Sequence, residues 1–376
     1  MTADEIDKKT DKPEDPPLLS VHTSSLPPLL DQLGVSVLIS TYQAGKLIVV
    51  RSEGSSVNTH FRNFNVPMGL ALNGAHLAIG TKYRVEKYQN QPDVAAKLEK
   101  AARPHDACYM PRSSHLTGYI QVHEMAFGGE ELWVVNTRFS CLCTLQYDCS
   151  FVPRWRPPFV SKLAMEDRCH LNGLGMRDNQ PRYVTALGTT DTAVGWRPDK
   201  ATGGILMDVL SNEFICRGLS MPHSPRWYAD ALWVCESGAG SLSVVDQATG
   251  KLQHVCLLPG FTRGVDFYGP FAFIGLSQVR ESAVFSGIPI TDRLKEEERM
   301  CGLWVVDVRT GETVAFLRFD SGVQEIFAVQ VLPNQLFPEI LTEDMNEELL
   351  ENSFILPDVA LKDVEINVPK EEDEAK

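Results

Sequence analysis

His123 to Thr137 reads HEMAFGGEELWVVNT, and the form of this stretch decides the fold. A short strand-like run meets a glycine turn, and a very apolar strand follows that ends in a small or polar residue. The unit recurs as PMGLALNGAHLAIGT at 67–81, NGLGMRDNQPRYVTALG at 172–188, HSPRWYADALWVCES at 223–237 and RGVDFYGPFAFIGLS at 263–277. QEIFAVQVL at 324–332 opens a sixth copy. Short apolar or alternating runs between Gly, Pro and Asn turns indicate β-hairpins, and recurrence at a steady interval indicates a repeat architecture.

The outer halves repeat as well. SLSVVDQATGKLQHVCLLPGFTRGVDF at 241–267 parallels GLWVVDVRTGETVAFLRFDSGVQEIF at 302–327, and both carry a Val-Asp-x-x-Thr-Gly hairpin. The Asp accepts local backbone hydrogen bonds there, and the Gly takes positive φ. ILMDVLSNEF at 205–214 is a looser copy. Each unit is then four strands, and four-stranded sheets stacked radially make a β-propeller. Inner strands are expected to begin near Met68, His123, Leu171, Pro222, Arg263 and Gln324. The sixth unit lacks outer strands downstream, while the chain begins with two unpaired strands at 36–41 and 46–51. The fold class is therefore all-β, a six-bladed propeller whose last blade is closed by N-terminal strands, which leaves no open edge. Residues 1–33 read as a disordered tail, 34–341 as the propeller and 342–376 as an acidic tail. Three insertions interrupt the pattern: a short helix within 90–106, a polar loop at 189–202 containing Trp196, and a long mixed segment at 278–300.

The 376-residue chain carries a net charge of −14, concentrated at its ends: −3 over residues 1–20 and −9 over 343–376, which leaves the rest close to neutral. An acidic chain without a basic stripe is a poor nucleic-acid binder. No apolar run approaches the length of a membrane span, and the charged N-terminus lacks the apolar core of a secretory signal. Nine cysteines without an export signal suggest reduced thiols and a cytoplasmic location. Cys141 and Cys143 read as ordinary buried residues. Trp133, Trp233 and Trp304 occupy equivalent strand positions and read as packing between blades. No partner protein can be named from the sequence.

Inner-strand starts line one mouth of a propeller channel. His123, His170 and His223 fall at or beside three such starts, one blade apart, although His170 is two residues out of phase with Asn172 as the aligned position. Three imidazoles from adjacent blades could bind Zn²⁺ or a similar divalent ion and leave a position open for water or substrate; each could equally serve loop backbone alone. Glu124, Asn172, Arg226, Glu236, Arg263, Gln324 and Glu325 are also in phase, and Arg138, Arg168, Arg280 and Glu281 lie on neighbouring loops. Arg forks hold carboxylates or phosphates, or else they stitch blades together through salt bridges. The expected function is a metal-dependent hydrolase or lyase acting on a small anionic substrate, with Glu124, Arg226 and Arg263 as catalytic candidates. The alternative is a non-catalytic ligand-binding or protein-interaction scaffold. No phosphate loop, nucleophile elbow or kinase signature is present.

The stretches at 115–142, 151–176, 218–227 and 258–267 resemble an uncharacterised, mostly bacterial family that carries a domain of unknown function. The likeness spans roughly residues 35–340 and implies the propeller without implying an activity. One His per blade at a channel mouth is more distantly similar to peptide α-hydroxyglycine amidating lyase. That resemblance implies a three-histidine zinc site, carried across only to His123, His170 and His223.

Overall fold

A computed structural model describes residues 18–98, 101–279 and 286–356 of the chain. Among the described residues six sheets follow one another around a ring, each built on four antiparallel strands. The first blade is Leu70–Asn73, His76–Gly80, Arg84–Asn90 and Ala107–Leu116; the second is Val122–Gly128, Glu131–Asn136, Cys141–Gln146 and Cys149–Trp155. The third comprises Leu171–Arg177, Gln180–Ala186, Gly204–Asp208 and Phe214–Leu219, and the fourth Pro222–Tyr228, Ala231–Glu236, Ser241–Asp246 and Lys251–Leu257. The fifth holds Phe261–Tyr268, Phe271–Ser277, Gly302–Asp307 and Glu312–Phe319.

The sixth blade closes the ring. Its inner strand, Ala328–Pro333, pairs with Val35–Thr41, which pairs with Lys46–Glu53 and then Ser56–Asn63. Closure by N-terminal strands is thus as expected, with one strand more than the sequence revealed. Ser56–Asn63 (SVNTHFRN) is an outermost, half-exposed strand, so it lacks the apolar signal of its neighbours. The sixth inner strand also starts four residues beyond Gln324: Val323–Phe327 precedes the ladder, with Gln324 O accepting from Gln278 N–H and Phe327 N–H donating to Ser40 O.

Every residue of Val35–Thr41 is buried. Alternate residues face opposite neighbours: Leu38 packs towards the first blade, while Val37 and Ile39 pack towards the fifth. A blade covered on both sides therefore needs continuous apolar strands, which is why these runs read as VSVLIST and KLIVVRSE. Side-chain hydrogen bonds tie successive blades together. Ser40, Thr137, Ser237 and Ser277 each donate from near the end of a second strand to a carbonyl of the next blade, at Met68, Leu171, Thr262 and Ile326. Between the third and fourth blades the link is a relay, with Thr185 donating to Asn172 Oδ1 and Asn172 Nδ2 donating to Pro222 O. At the junction of the first and second blades Gly80 lies directly against Val122.

Two segments read as tails are partly structured. Ser20–His22 pairs with the outer strand of the fifth blade, and the helix Leu26–Leu33 buries Leu26 and Leu30 against the fifth and sixth blades. The disordered reading of 18–33 is therefore corrected; proline at the helix start hid an amphipathic turn whose two leucines are fully buried. Residues 1–17 lie outside the described residues. At the other end, Pro338–Ile340 adds a parallel strand to the first blade, and the helix Glu343–Glu351 follows, with Leu349, Leu350 and Ile355 packing near Cys108 and Met110. The acidic stretch 357–376 lies outside the described residues.

Ring closure is clasped by charge. Glu339 accepts hydrogen bonds from Arg62 Nη2 at 2.7 Å and His60 Nε2 at 3.1 Å, while Arg62 Nε donates to Ile340 O and Arg51 Nη1 to Pro338 O. Burial acts to raise the Glu339 pKa, but the hydrogen bond and charge of His60 and the charge of Arg62 outweigh it, and the net shift is downward. A carboxyl whose folded pKa lies below its unfolded value stabilises the fold above the unfolded pKa, about 4.3, and loses that contribution as pH falls through the folded value.

Leu30→Ala is expected to destabilise the protein by about 2–5 kcal/mol in urea unfolding, whereas a residue of a solvated tail would have no effect. Glu339→Gln should cost about 3–5 kcal/mol at neutral pH, because it leaves buried Arg62 uncompensated. The gap between wild type and variant should shrink as pH falls below about 4.3 and the Glu339 carboxylate is protonated. A gap that does not shrink below that pH would contradict the clasp.

Candidate functional site

The site is built by the residues that open the inner strands. Gln121, His170 and Met221 directly precede the inner strands of blades two, three and four, and all three take left-handed φ of 55°, 52° and 46°. Two residues later come His123, Asn172 and His223. His170 therefore reaches the mouth from the left-handed position, and the in-strand position of its blade is filled by the relay residue Asn172. The phase mismatch seen in the sequence is real, yet the rings meet. His123 and His170 have centroids 4.9 Å apart and nearly perpendicular planes, and His170 and His223 line one cavity of 290 Å³.

The blade links fix the imidazoles. Thr137 Oγ1 donates its proton to Leu171 O, so it accepts from His123 Nδ1–H at 2.8 Å. Ser237 Oγ does the same between Thr262 O and His223 Nδ1, which also reaches Met221 O at 2.9 Å. His170 Nδ1 donates to Asp167 Oδ2 at 2.9 Å, and Trp196 Nε1 donates to the same oxygen. With each Nδ1 committed, Nε2 is the nitrogen left for a ligand. Burial, then the positive charge of Arg263 and the neighbouring histidines, holds the pKa of His123 well below the usual value; burial, Arg263 and His170 do so for His223. Both are neutral at physiological pH.

Arg263 lies at the same mouth. The inner strand of the fifth blade bulges between Thr262 and Val265. Gly264 takes φ +74° there, and a Cβ at that position would meet Val329 N at 2.8 Å, so only glycine lets the strand turn so close to the sixth blade. The bulge re-aims Arg263, whose guanidinium stacks 3.5 Å from the Phe327 ring and reaches Glu325 at 3.3 Å through Nη1. Its Nη2 is buried without a hydrogen-bond partner among the described residues. Burial lowers the pKa of Arg263 and raises that of Glu325, so each charge is only partly compensated by the other. Tyr42 stacks on the other aromatic contact of this corner, with its ring 5.7 Å from Phe327, and burial helps push its pKa up to about 12.

Among the candidates read from sequence, His170, His223, Arg263, Gln324 and Glu325 line the cavity and His123 stands beside it. Others are placed elsewhere. Glu124 and Arg226 form an ion pair at 2.8 Å; Glu124 also accepts from Leu174 N, and Arg226 donates to the carbonyls of Val265, Leu174 and Pro225. That pair stitches four blades, from the second to the fifth, and Arg226 borders a separate 250 Å³ cavity. Asn172 is consumed by the blade relay, Glu236 caps Ser220 N, Arg168 is tied to Glu166 and Asp191, and Arg138 lies 5.2 Å from the Tyr119 ring. Arg280 and Glu281 lie outside the described residues. Sequence reasoning did not select Gln43, Phe261, Gln278 or Trp196, which also line the cavity. Trp196 carried a signal, an aromatic in an otherwise polar insertion; Gln43 and Gln278 lie outside the strands without any periodic mark, and Phe261 opens the inner strand of the fifth blade two residues before the expected start at Arg263. Among the described residues no group of three His, Cys, Asp or Glu side chains is arranged to hold a metal ion.

Residues 24–341 match the family described as domain of unknown function (DUF4915). The chain belongs to that family. No curated protein matches it. Among solved structures, a chain from a nidogen/laminin complex is similar with a TM-score of 0.50 and 9% identity, covering 80% of this chain and 99% of that one. A protein of unknown function from Bacteroides caccae has a TM-score of 0.49 and 8% identity, covering 79% and 98%. At such identity the likeness to the first speaks to fold alone, and none of these findings bears on the likeness to the amidating lyase. No helix among the described residues is long and apolar enough to cross a membrane, and all nine cysteines are free.

Thr137→Val keeps the shape of the side chain but leaves Leu171 O and His123 Nδ1–H without their hydroxyl. Stability should fall by about 1–3 kcal/mol, and the His123 ring-nitrogen shifts in ¹⁵N NMR should move part-way towards a mixed-tautomer pattern, with Gln121 O, 3.3 Å from Nδ1, as the acceptor that remains. Unchanged shifts would mean that the hydroxyl does not set the tautomer.

Proposed function

We propose that the channel mouth of this DUF4915 protein is a binding site for a small anionic molecule, with Arg263 holding the charge. The observation that carries the reading is Arg263 Nη2, a buried guanidinium N–H group with no partner among the described residues. Leaving such a donor unsatisfied costs about 1–3 kcal/mol, more when it is charged, and an anion accepting from it removes that cost. The neutral imidazoles supply acceptors through Nε2, and Gln324 can donate through its side-chain amide, so the site suits an anion that also bears a hydroxyl or N–H group.

A second reading, a metal-dependent hydrolase or lyase on the same small anion, draws support from the tautomers. Three imidazoles whose Nδ1–H groups are fixed by a hydroxyl, a hydroxyl and a carboxylate have the outer contacts that metal-bound histidines use. An ion would have to draw the three rings into a tighter group than the one described.

Calorimetric titration of wild type and Arg263→Gln with small carboxylates tests the first reading. Binding by wild type and at least about tenfold weaker binding by the variant is expected; equal affinity would refute it. Elemental analysis of protein purified without an affinity tag decides the second reading: stoichiometric zinc or a similar ion, lost in His123→Ala, is its expected result, and metal-free protein that binds the anion unchanged would end it.

A further inference from the structure

We infer that the far end of the channel holds a second site, which takes the ammonium group of a small alkylamine against Asp266. This site is independent of the anion-binding reading above. A cavity of 250 Å³ lies there, and each inner strand contributes to its wall: Leu70, Met125, Leu174, Arg226, Asp266 and Gln330, from the first blade to the sixth. Asp266 follows Arg263 along the fifth inner strand, and Arg226 follows His223 along the fourth, so the cavity lies beyond the histidine mouth. Leu72, Phe127, Met176 and Trp227 carry its wall to the ends of their strands.

Two carboxylates near this channel serve the same structural device and differ in charge. Each accepts an N–H of the next blade's inner strand: Glu124 Oε2 from Leu174 N at 2.6 Å, and Asp266 Oδ2 from Val331 N at 2.8 Å. Glu124 also meets the Arg226 guanidinium at 2.8 Å. Asp266 takes its other hydrogen bonds from neutral amides, with Phe267 N–H on Oδ1 and Gln330 Nε2–H on Oδ2. Burial drives the Asp266 pKa up, and the Val331 N–H and the charge of Arg226 offset that only in part. A cation bound to Asp266 supplies the compensation that Glu124 already has from Arg226.

The atoms around that carboxylate select the kind of cation. Gln330 Nε2 donates to Asp266 and to Val331 O, so its side-chain oxygen is the atom it has to offer the cavity. Asp266 Oδ1 and Gln330 Oε1 are both acceptors, which suits a group with several N–H donors. A Ca²⁺ ion wants about six to eight oxygen ligands. The neighbouring side chains of Leu70, Met125, Leu174, Met176 and Val329 bring it none, but they offer an alkyl chain the apolar contact it seeks. The cavity volume falls just below the range of about 300 to 1,000 Å³ for ligand sites, so the amine is a small one.

The test uses the full chain and three probes, n-butylammonium, 1-butanol and Ca²⁺, followed by NMR of ¹³C-methyl methionine. n-Butylammonium should shift the methyl signals of Met125 and Met176 and leave that of Met221, at the histidine mouth, in place. It should bind wild type at least about tenfold tighter than 1-butanol, and Asp266→Asn should weaken it by at least about tenfold. The comparison of amine with alcohol is made on wild type, so it decides the matter even where the variant fails to fold. Equal affinity for the two would overturn the ammonium, and unchanged amine affinity in folded Asp266→Asn would overturn Asp266 as its partner. Tightest binding by Ca²⁺ would overturn the alkylamine. Probes that leave Met125 and Met176 unshifted would overturn the second site, while the reading of Arg263 would stand or fall on its own titration.

Discussion

The pairing of Val35–Thr41 with Ala328–Pro333 is the contact on which this molecule depends. It joins strands nearly three hundred residues apart, so it is formed against a large loop-closure entropy and has to be supported from several directions. The support is visible. Apolar residues on both faces of the joining strand pack against neighbouring blades, the Ser20–His22 strand and the Leu26–Leu33 helix brace the fifth and sixth blades, and Glu339 is clasped by Arg62 and His60 across the sixth and first. Both chain ends are thus spent on the same seam. Phe327, at the entrance to the closing strand, lies against His123 and under Arg263, so the seam also forms part of the mouth.

The hydroxyls that link successive blades connect stability to chemistry. A Ser or Thr that donates to the next blade has lone pairs left, and in the second and fourth blades a histidine Nδ1–H takes one of them. The same side chain therefore holds two blades in register and sets which ring nitrogen faces the channel. The mouth that results is electrostatically under-compensated. Two imidazoles are kept neutral by burial, and Arg263 and Glu325 are each pushed by burial towards their uncharged forms. The Glu124–Arg226 pair shows the contrast: there every strong donor and acceptor is matched within the protein, and the pair is structural.

The sequence by itself determined the blade count, the inner strands and the closure, because these depend on local alternation, turn residues and a repeat that each blade must satisfy separately. HEMAFGGEELWVVNT and its counterparts are legible for that reason, and so is the convergence of His123, His170, His223 and Arg263, since a closed ring brings equivalent positions together. The strand Ser56–Asn63 was illegible because an outer strand with a wet face carries little hydrophobic signal. The helix Leu26–Leu33 was illegible because it gains its stability from a sheet that arrives later in the chain. Only the tertiary structure decided which polar residues are free to act. Glu124, Arg226, Asn172 and Arg263 look alike in phase along the chain; three of them find their partners in adjacent blades, and the fourth, turned by the bulge at Gly264, is left with an unmatched N–H group. Hydrogen-bond satisfaction is a property of neighbours in space, and the sequence orders neighbours only along the chain.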